Sequence, residues 1–298
     1  MRTRRTIAAA MSVLALTAVA ACGKSGSPSA APAGAPQLPT YQVNTAFKLD
    51  ASPTWAKAKK AGHLTIGAKA DQPYLGFEDL TTNTRNGFDI EIAKMVAADL
   101  GFTPDQITWK TIVSANRETA IANGQIDYYV GTYTINDNRK KQVAFAGPYY
   151  VAGQDLLVLK SNTDITGKES VKGKTVCSVA GSTSIGRIND LGGKTVTYDT
   201  YAQCVDKLLT SEVDAVTTDD TILKGFAAKN PGKLKVIGQP FSQEPYGIGL
   251  AKGDATLQDA ISKALKAHED NGDWKKAYDA TLGLSGSAAA PIPALATN

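Results

Sequence analysis

The sequence predicts an α/β protein with largely parallel sheets, large enough for two compact lobes. Two observations carry that expectation. From His63 onward, short β-rich runs alternate with helical runs, the pattern of repeated β-α units. The part able to bury a core, about residues 41 to 284, is long for one domain and comfortable for two.

Taken in order, "HLTIGAK" predicts the first strand. "FDIEIAKMVAADLG" predicts a helix, with Phe88, Ile92, Met95, Val96 and Leu100 on one face and Gly101 at its stop. "ITWKTI" reads as a strand, "NRETAIANG" as a helix ending at Gly124, and "IDYYVG" as a strand. Further strands are "DLLVLK", "KTVCSVA", "KTVTY", "DAVTTD" and "LKVIG", separated by helices such as "YAQCVDKLLTSE" and "DTILKGFAAKNPG". "YGIGLAK" adds one more strand before a helical region from Ala255 to Leu282. No internal repeat of short fixed period is present.

The first residues bear on the compartment. "MRTRR" is basic, "TIAAAMSVLALTAVAA" is apolar and "VAAC" ends in small residues, the form of a secretory signal over residues 1–21. The apolar run falls short of the ~20 residues that a spanning helix needs. Val19 to Cys22 resemble the lipobox of bacterial lipoproteins, which implies lipidation of Cys22 and an extracytoplasmic protein anchored to the cell membrane. Residues 22–50, rich in Gly, Ser, Pro and Ala, read as the lipidated cysteine and a flexible linker, and 284–298 as a disordered tail.

Charge and cysteines narrow the function. Three of the 32 Lys+Arg lie in the leader, leaving 29 against 28 Asp+Glu. A body so near neutrality has no electrostatic footprint for nucleic acid. With Cys22 assigned to lipid, Cys177 and Cys204 form an even pair in an oxidising compartment, where a disulfide persists. There is no CxxC, no Cys/His cluster and only two histidines, so neither a metal nor another cofactor is implied.

Two α/β lobes place a ligand beyond the carboxyl ends of their strands. The polar residues at those ends are Lys69 and Gln72, Thr132 and Thr134, Ser182 and Thr183, and Asp219. Each is also compatible with a loop polar residue or a helix cap. "AGSTS" is not a phosphate loop, because no GKS or GKT follows. The run Arg139, Lys140, Lys141 in "NDNRKKQVAFAGPYY" is compatible with solvated surface or with one cation aimed at a ligand.

The order of these segments resembles the polar amino-acid class, family 3, of bacterial extracellular solute-binding proteins, the capture subunits of ABC importers. The resemblance covers Leu64 to about Leu282. It rests on "NGFDIEIAKMVAADLG", "NRETAIANGQIDYYVGTYTINDNRKKQVAFAGPYYVAGQDLLV", "GKTVCSVAGSTS" and "VDAVTTDDTIL". The cysteine pair and "TTDD" are most similar to the actinobacterial glutamate-binding branch.

That resemblance implies a two-lobed, type II periplasmic-binding-protein fold. Residues 58–153 and 247–283 are expected in the first lobe and 154–246 in the second, with crossovers near Gly153 and Pro245 as the hinge. It implies that Arg139 holds the α-carboxylate of an amino acid, a task suited to a planar guanidinium fork. Ser182 and Thr183 are expected to add hydroxyl and backbone donors. Asp219 takes the ammonium with help from a carbonyl near Thr132, and Thr134 lines the same cleft. Lys69 and Arg117 fall where relatives specific for acidic amino acids place cations for the distal carboxylate, whereas Gln72 suits an amide equally. The implied partners are a small amino acid, a permease and its ATPase, and the membrane through the lipid, with the protein itself a monomer. Two departures stand out: Asn136 replaces the second threonine of a "TIT"-like turn, and Phe145 to Tyr149 read "FAGPY" where the family commonly has "FSxPY". A lyase or hydrolyase on this fold needs an acid or base poised near neutrality; His63 and His268 lie outside the expected cleft.

Overall fold

The computed structural model describes residues 37–287 of the chain. The expected leader, Cys22, the first part of the expected linker and residues 288–298 lie outside the described residues. The second half of that linker is corrected. Tyr41, Phe47 and Leu49 pack on the core, because an aromatic or leucine side chain gains more from burial than a Pro/Ser tether does from freedom. The Tyr41 hydroxyl donates to Glu91 (3.0 Å), the Asn44 N–H to Ala98 O (2.9 Å), and the Phe47 ring meets Trp55 edge-on at 5.9 Å.

Ser52 then starts α1 (Pro53–Ala61), accepting the Trp55 N–H at 3.1 Å, and Gly62 ends it with φ 75°. There follow β1 (Leu64–Ala68), a small hairpin sheet of β2 (Asp71–Gln72), β3 (Gly76–Asp79) and β4 (Thr84–Asn86), and α2 (Phe88–Asp99). Next come β5 (Ile107–Thr111), α3 (Arg117–Ala122), β6 (Tyr128–Tyr129), α4 (Asp137–Lys140) and the long β7 (Val143–Ala152). Beyond Gly153 the chain makes β8 (Gln154–Leu159), β9 (Thr175–Val179), α5 (Ser184–Asp190), β10 (Lys194–Tyr198) and α6 (Tyr201–Leu209). It continues with β11 (Ala215–Asp219), α7 (Asp220–Lys229) and β12 (Leu234–Val236), returns along β13 (Glu244–Ala251), and closes with α8 (Ala255–Asp270) and α9 (Asp273–Ala280).

Among the described residues these strands make two five-stranded sheets, one per lobe, ordered β5-β1-β6-β13-β7 and β10-β9-β11-β8-β12. Both are mixed, which corrects the expectation of largely parallel sheets. β5, β1 and β6 are parallel, as are β10, β9 and β11; β13 runs against β6 and β7, and β8 against β11 and β12. The reversal comes from the connection between lobes. β7 leaves the first lobe and β13 re-enters it, paired antiparallel from Val143↔Ala251 to Ala152↔Glu244.

α2 is also more deeply set than a one-face helix. Almost every residue from Phe88 to Ala98 is buried, including Asp89 and Glu91, because the helix lies between its sheet and α8 and α9. The final helical region is broken at Gly272, whose φ of 84° favours a residue without Cβ. Cys177 at the centre of β9 is bonded to Cys204 in the second turn of α6, with Cα atoms 5.6 Å apart.

Candidate functional site

The loops after β5, β6, β9 and β11 meet around one polar pocket between the lobes. Arg117, Thr132, Thr134 and Arg139 line it from the first lobe, and Ser182, Thr183 and Asp219 from the second. Lys69 and Gln72 stand one side chain behind that wall, on Ser114 and Thr132. Ser114, Tyr201 and Ile222 complete the lining and are absent from the sequence reading. A larger groove of about 520 Å³, bordered by Phe47, Leu49 and Ala260, gathers no such set of buried cations.

Local chemistry sets each side chain. The Asn136 carboxamide accepts the Arg139 N–H (3.0 Å) and so caps α4, which brings Arg139 to the pocket within a single turn. The departure from threonine at 136 is therefore a helix cap. Lys140 and Lys141 stay exposed on the same turn. Thr132 adopts a left-handed backbone, φ 46°, rare for a β-branched residue, with its hydroxyl donating to Gln72 Oε1 at 3.2 Å. The Gln72 Nε2 is buried without a hydrogen-bond partner.

The first-lobe wall is cationic. The Lys69 ammonium donates to Ser114 Oγ (2.7 Å) and Arg117 Nε to Ser114 O (3.0 Å). Arg139 donates through Nη1 to Thr134 O (2.7 Å) and has Glu118 3.4 Å from its Nε. Both guanidinium groups lie over the Tyr133 ring, at 4.3 and 5.0 Å. Burial, and then Arg117, push the Lys69 ammonium down to about 7. Burial and Arg117 likewise lower Arg139 to about 10. Lys69 and Arg117 make no ion pair among the described residues and are 4% and 2% exposed. Asp71 and Asp89 offset the Lys69 charge only from a distance, and two buried cations without an ion-pair partner are costly unless an anion joins them.

Behind them lies Asp89, missed by the sequence reading. It is fully buried, accepts the Tyr149 hydroxyl at 2.8 Å, and is raised to about 7 by burial. Its signal is an acidic residue directly after Phe88, the first apolar residue of the helical face in "NGFDIEIAKMV". The same bond gives Tyr149 of "FAGPYY" a role in supporting the pocket floor.

The second lobe supplies hydroxyls and one acid. Asp219 accepts the Tyr246 hydroxyl at 2.7 Å, and burial, followed by Glu244, raises it to about 7. The Ser182 Oγ accepts the Ser184 N–H (3.2 Å) and the Tyr201 hydroxyl (3.3 Å), which in turn accepts from Thr218 (2.6 Å). This relay leaves the Ser182 proton free to point into the pocket. Thr183 differs from expectation: its hydroxyl donates to the buried Glu244 at 2.9 Å, so toward a ligand carboxylate it offers only its backbone N–H. Glu244 is held by Ser242 and Arg187, each at 2.7 Å.

Gly181 closes the pocket from the second lobe. Its carbonyl accepts from Arg139 Nη2 (2.9 Å) and Arg117 Nη2 (3.2 Å). A Cβ at this residue (φ 80°) would stand 2.9 Å from the Ala115 backbone. The space enclosed is about 10 Å³, the scale of one water. Admitting an amino acid therefore requires the lobes to part and the carbonyl to release both guanidiniums.

Two lobes joined by two strands, with opposite charges facing across a cleft, are an arrangement suited to a small zwitterion. Residues 64–283 match the family of bacterial extracellular solute-binding proteins, family 3, and the chain belongs to that family. It is 39% identical over 234 residues to the glutamate-binding protein GluB of Corynebacterium efficiens, covering 74% of this chain and 79% of that protein. It is 33% identical to the ABC transporter glutamine-binding protein GlnH of Bacillus subtilis, covering 91% and 94%. Among solved structures, an ancestral arginine-binding protein bound to glutamine has 36% identity and a TM-score of 0.70, covering 74% of this chain and 98% of that one. The chain is thus an amino-acid solute-binding protein of the ABC type. No helix among the described residues is long and apolar enough to cross a membrane.

Proposed function

We propose that this protein captures an acidic amino acid, glutamate foremost and aspartate second, by hinge closure and delivers it to a membrane permease and its ATPase. The observation that carries the reading is the pair Lys69 and Arg117, buried together on Ser114 with no carboxylate partner among the described residues. A distal carboxylate supplies the missing charge. Arg139, with Ser182 and the Thr183 N–H, takes the α-carboxylate, and Asp219 takes the ammonium. The likeness to GluB supports the same ligand. Lobe closure about the β7–β13 ribbon follows from placing these charges on both lobes, with residues 58–153 and 247–283 moving against 154–246.

One observation favours a second reading, glutamine. The unpartnered Gln72 Nε2 can donate to an amide oxygen, and the glutamine-binding GlnH is also a relative. Thermal unfolding in the presence of glutamate, aspartate, glutamine, asparagine and arginine separates the two. A ligand at 100 times its Kd adds about 2.7 kcal/mol. The expected result is a rise in Tm with the two acids; a larger rise with glutamine overturns the acidic assignment.

Cys22 is proposed as the lipid anchor. Cys22→Ser is expected to abolish palmitate incorporation and release the protein into the medium; unchanged membrane retention contradicts it.

A further inference from the structure

The loop "KADQPY", residues 69–74, serves two faces. Lys69 and Gln72 belong to the pocket. Asp71, Pro73 and Tyr74 instead meet the second lobe outside it. Asp71 Oδ2 accepts the backbone N–H groups of Tyr201 (2.8 Å) and Ala202 (3.2 Å), the first two residues of α6. The helix's own cap, Thr200, takes only the next N–H, that of Gln203, at 3.4 Å. The first-turn donors of a second-lobe helix are thus satisfied partly by a carboxylate of the first lobe, whose charge also suits a helix N-terminus. Beside it, α7 comes so close that a Cβ on Gly225 would lie 2.5 Å from the Pro73 carbonyl oxygen. The Lys229 ammonium stands 5.5 Å from the centre of the Tyr74 ring.

We propose that these contacts form a closure clasp: a lobe-to-lobe contact outside the ligand pocket that sets the open–closed balance. It scales the affinity for every bound amino acid by one common factor. The clasp exists only when the lobes are together. The ligand-bound closed form keeps it while the Gly181 carbonyl gives way at the pocket, and a ligand is bound in proportion to the population of that form. It also reaches the pocket. α6 is tied to β9 by the Cys177–Cys204 disulfide, and Tyr201, whose N–H Asp71 holds, orients Ser182 through its hydroxyl. Seating α6 on Asp71 therefore seats a ligand donor as well.

The affinity arm of the test rests on the capture function proposed above; the shape arm does not. Gly225→Ala adds one methyl. In an open form it favours α7, since alanine is the better helix former, and in the closed form it strikes the Pro73 carbonyl. Asp71→Ala removes the acceptor and with it a negative charge that acts on Lys69, so its affinity is read with glutamine. Small-angle X-ray scattering of the ligand-free mature protein is expected to give a larger radius of gyration for both variants than for the native chain; unchanged radii overturn the clasp. Calorimetric titration is expected to show the Kd raised about fivefold, the scale of a lost helix cap, for glutamine in both variants and by the same factor for glutamate in Gly225→Ala. An unchanged Kd, or a change for one amino acid alone in Gly225→Ala, also overturns it. If the native chain binds no amino acid, the capture function falls, and the radii still decide the clasp.

Discussion

The two walls of the cleft are built from opposite materials. The first lobe presents Lys69, Arg117 and Arg139, of which only Arg139 has a carboxylate partner. The second presents Asp219 and a chain of hydroxyls, Thr218 to Tyr201 to Ser182, over a buried Glu244 that has its own partners. One wall is left short of negative charge, and the other is nearly complete. On the proposed reading, discrimination among amino acids resides in Lys69 and Arg117 of the first lobe, whereas Arg139 and the second lobe recognise the part that all amino acids share.

Substitutions can break that division at graded cost. Arg139→Ala should have the largest effect, abolishing binding of every amino acid, since truncating a buried charged partner costs on the order of 2–5 kcal/mol. Retained tight binding in a calorimetric titration sinks its role. Asp219→Asn follows, weakening all amino acids about tenfold or more while leaving an uncharged analogue without the ammonium unaffected. A loss confined to one side chain type contradicts the second-lobe assignment.

Acidity offers the next test, with two limbs of distinct origin. Free Asp219 sits near 7 and a bound ammonium favours its charged form. Binding then releases a proton below about 7, and affinity falls as the pH drops. Free Lys69 also sits near 7, and a bound carboxylate favours its charged form. Binding takes up a proton above about 7, and glutamate affinity falls as the pH rises. Glutamine, lacking the second carboxylate, should show the acid limb with a much weaker alkaline one; equal alkaline limbs for both ligands contradict the placement of Lys69. The smallest effect is expected from Ser182→Ala, about fivefold on every ligand, the scale of one hydrogen bond, measured in the same titrations.

Much of this molecule is legible in the sequence. The alternating strands and helices are local patterns, and they reappear as β1, α2, β5, β9, β11 and α7. Arg139, Ser182, Thr183 and Asp219 follow from motif order and meet at the pocket. What escapes has a physical cause. β7, absent from the strands read off the sequence, contains Gly147 and Pro148, which interrupt a strand pattern, yet it pairs along most of its length with β13. The hairpin β2–β4 is too short to show a period. Tyr201, Glu244 and Tyr246 reach the site only through tertiary contact, 19 residues from Ser182, 61 from Thr183 and 27 from Asp219. The double duty of "KADQPY" is invisible for the same reason: Asp71 and its helix are 130 residues apart.

The central claim is that two unpaired first-lobe cations select an acidic ligand. The most direct measurement is calorimetric titration of glutamate and glutamine into the native chain and into the variant carrying both Lys69→Met and Arg117→Met. The native chain should prefer glutamate by about tenfold or more, as expected when a charged group meets a buried unpaired charge. The double variant should lose that preference while still binding glutamine. A double variant that keeps the native preference for glutamate, or a native chain that prefers glutamine, contradicts the account.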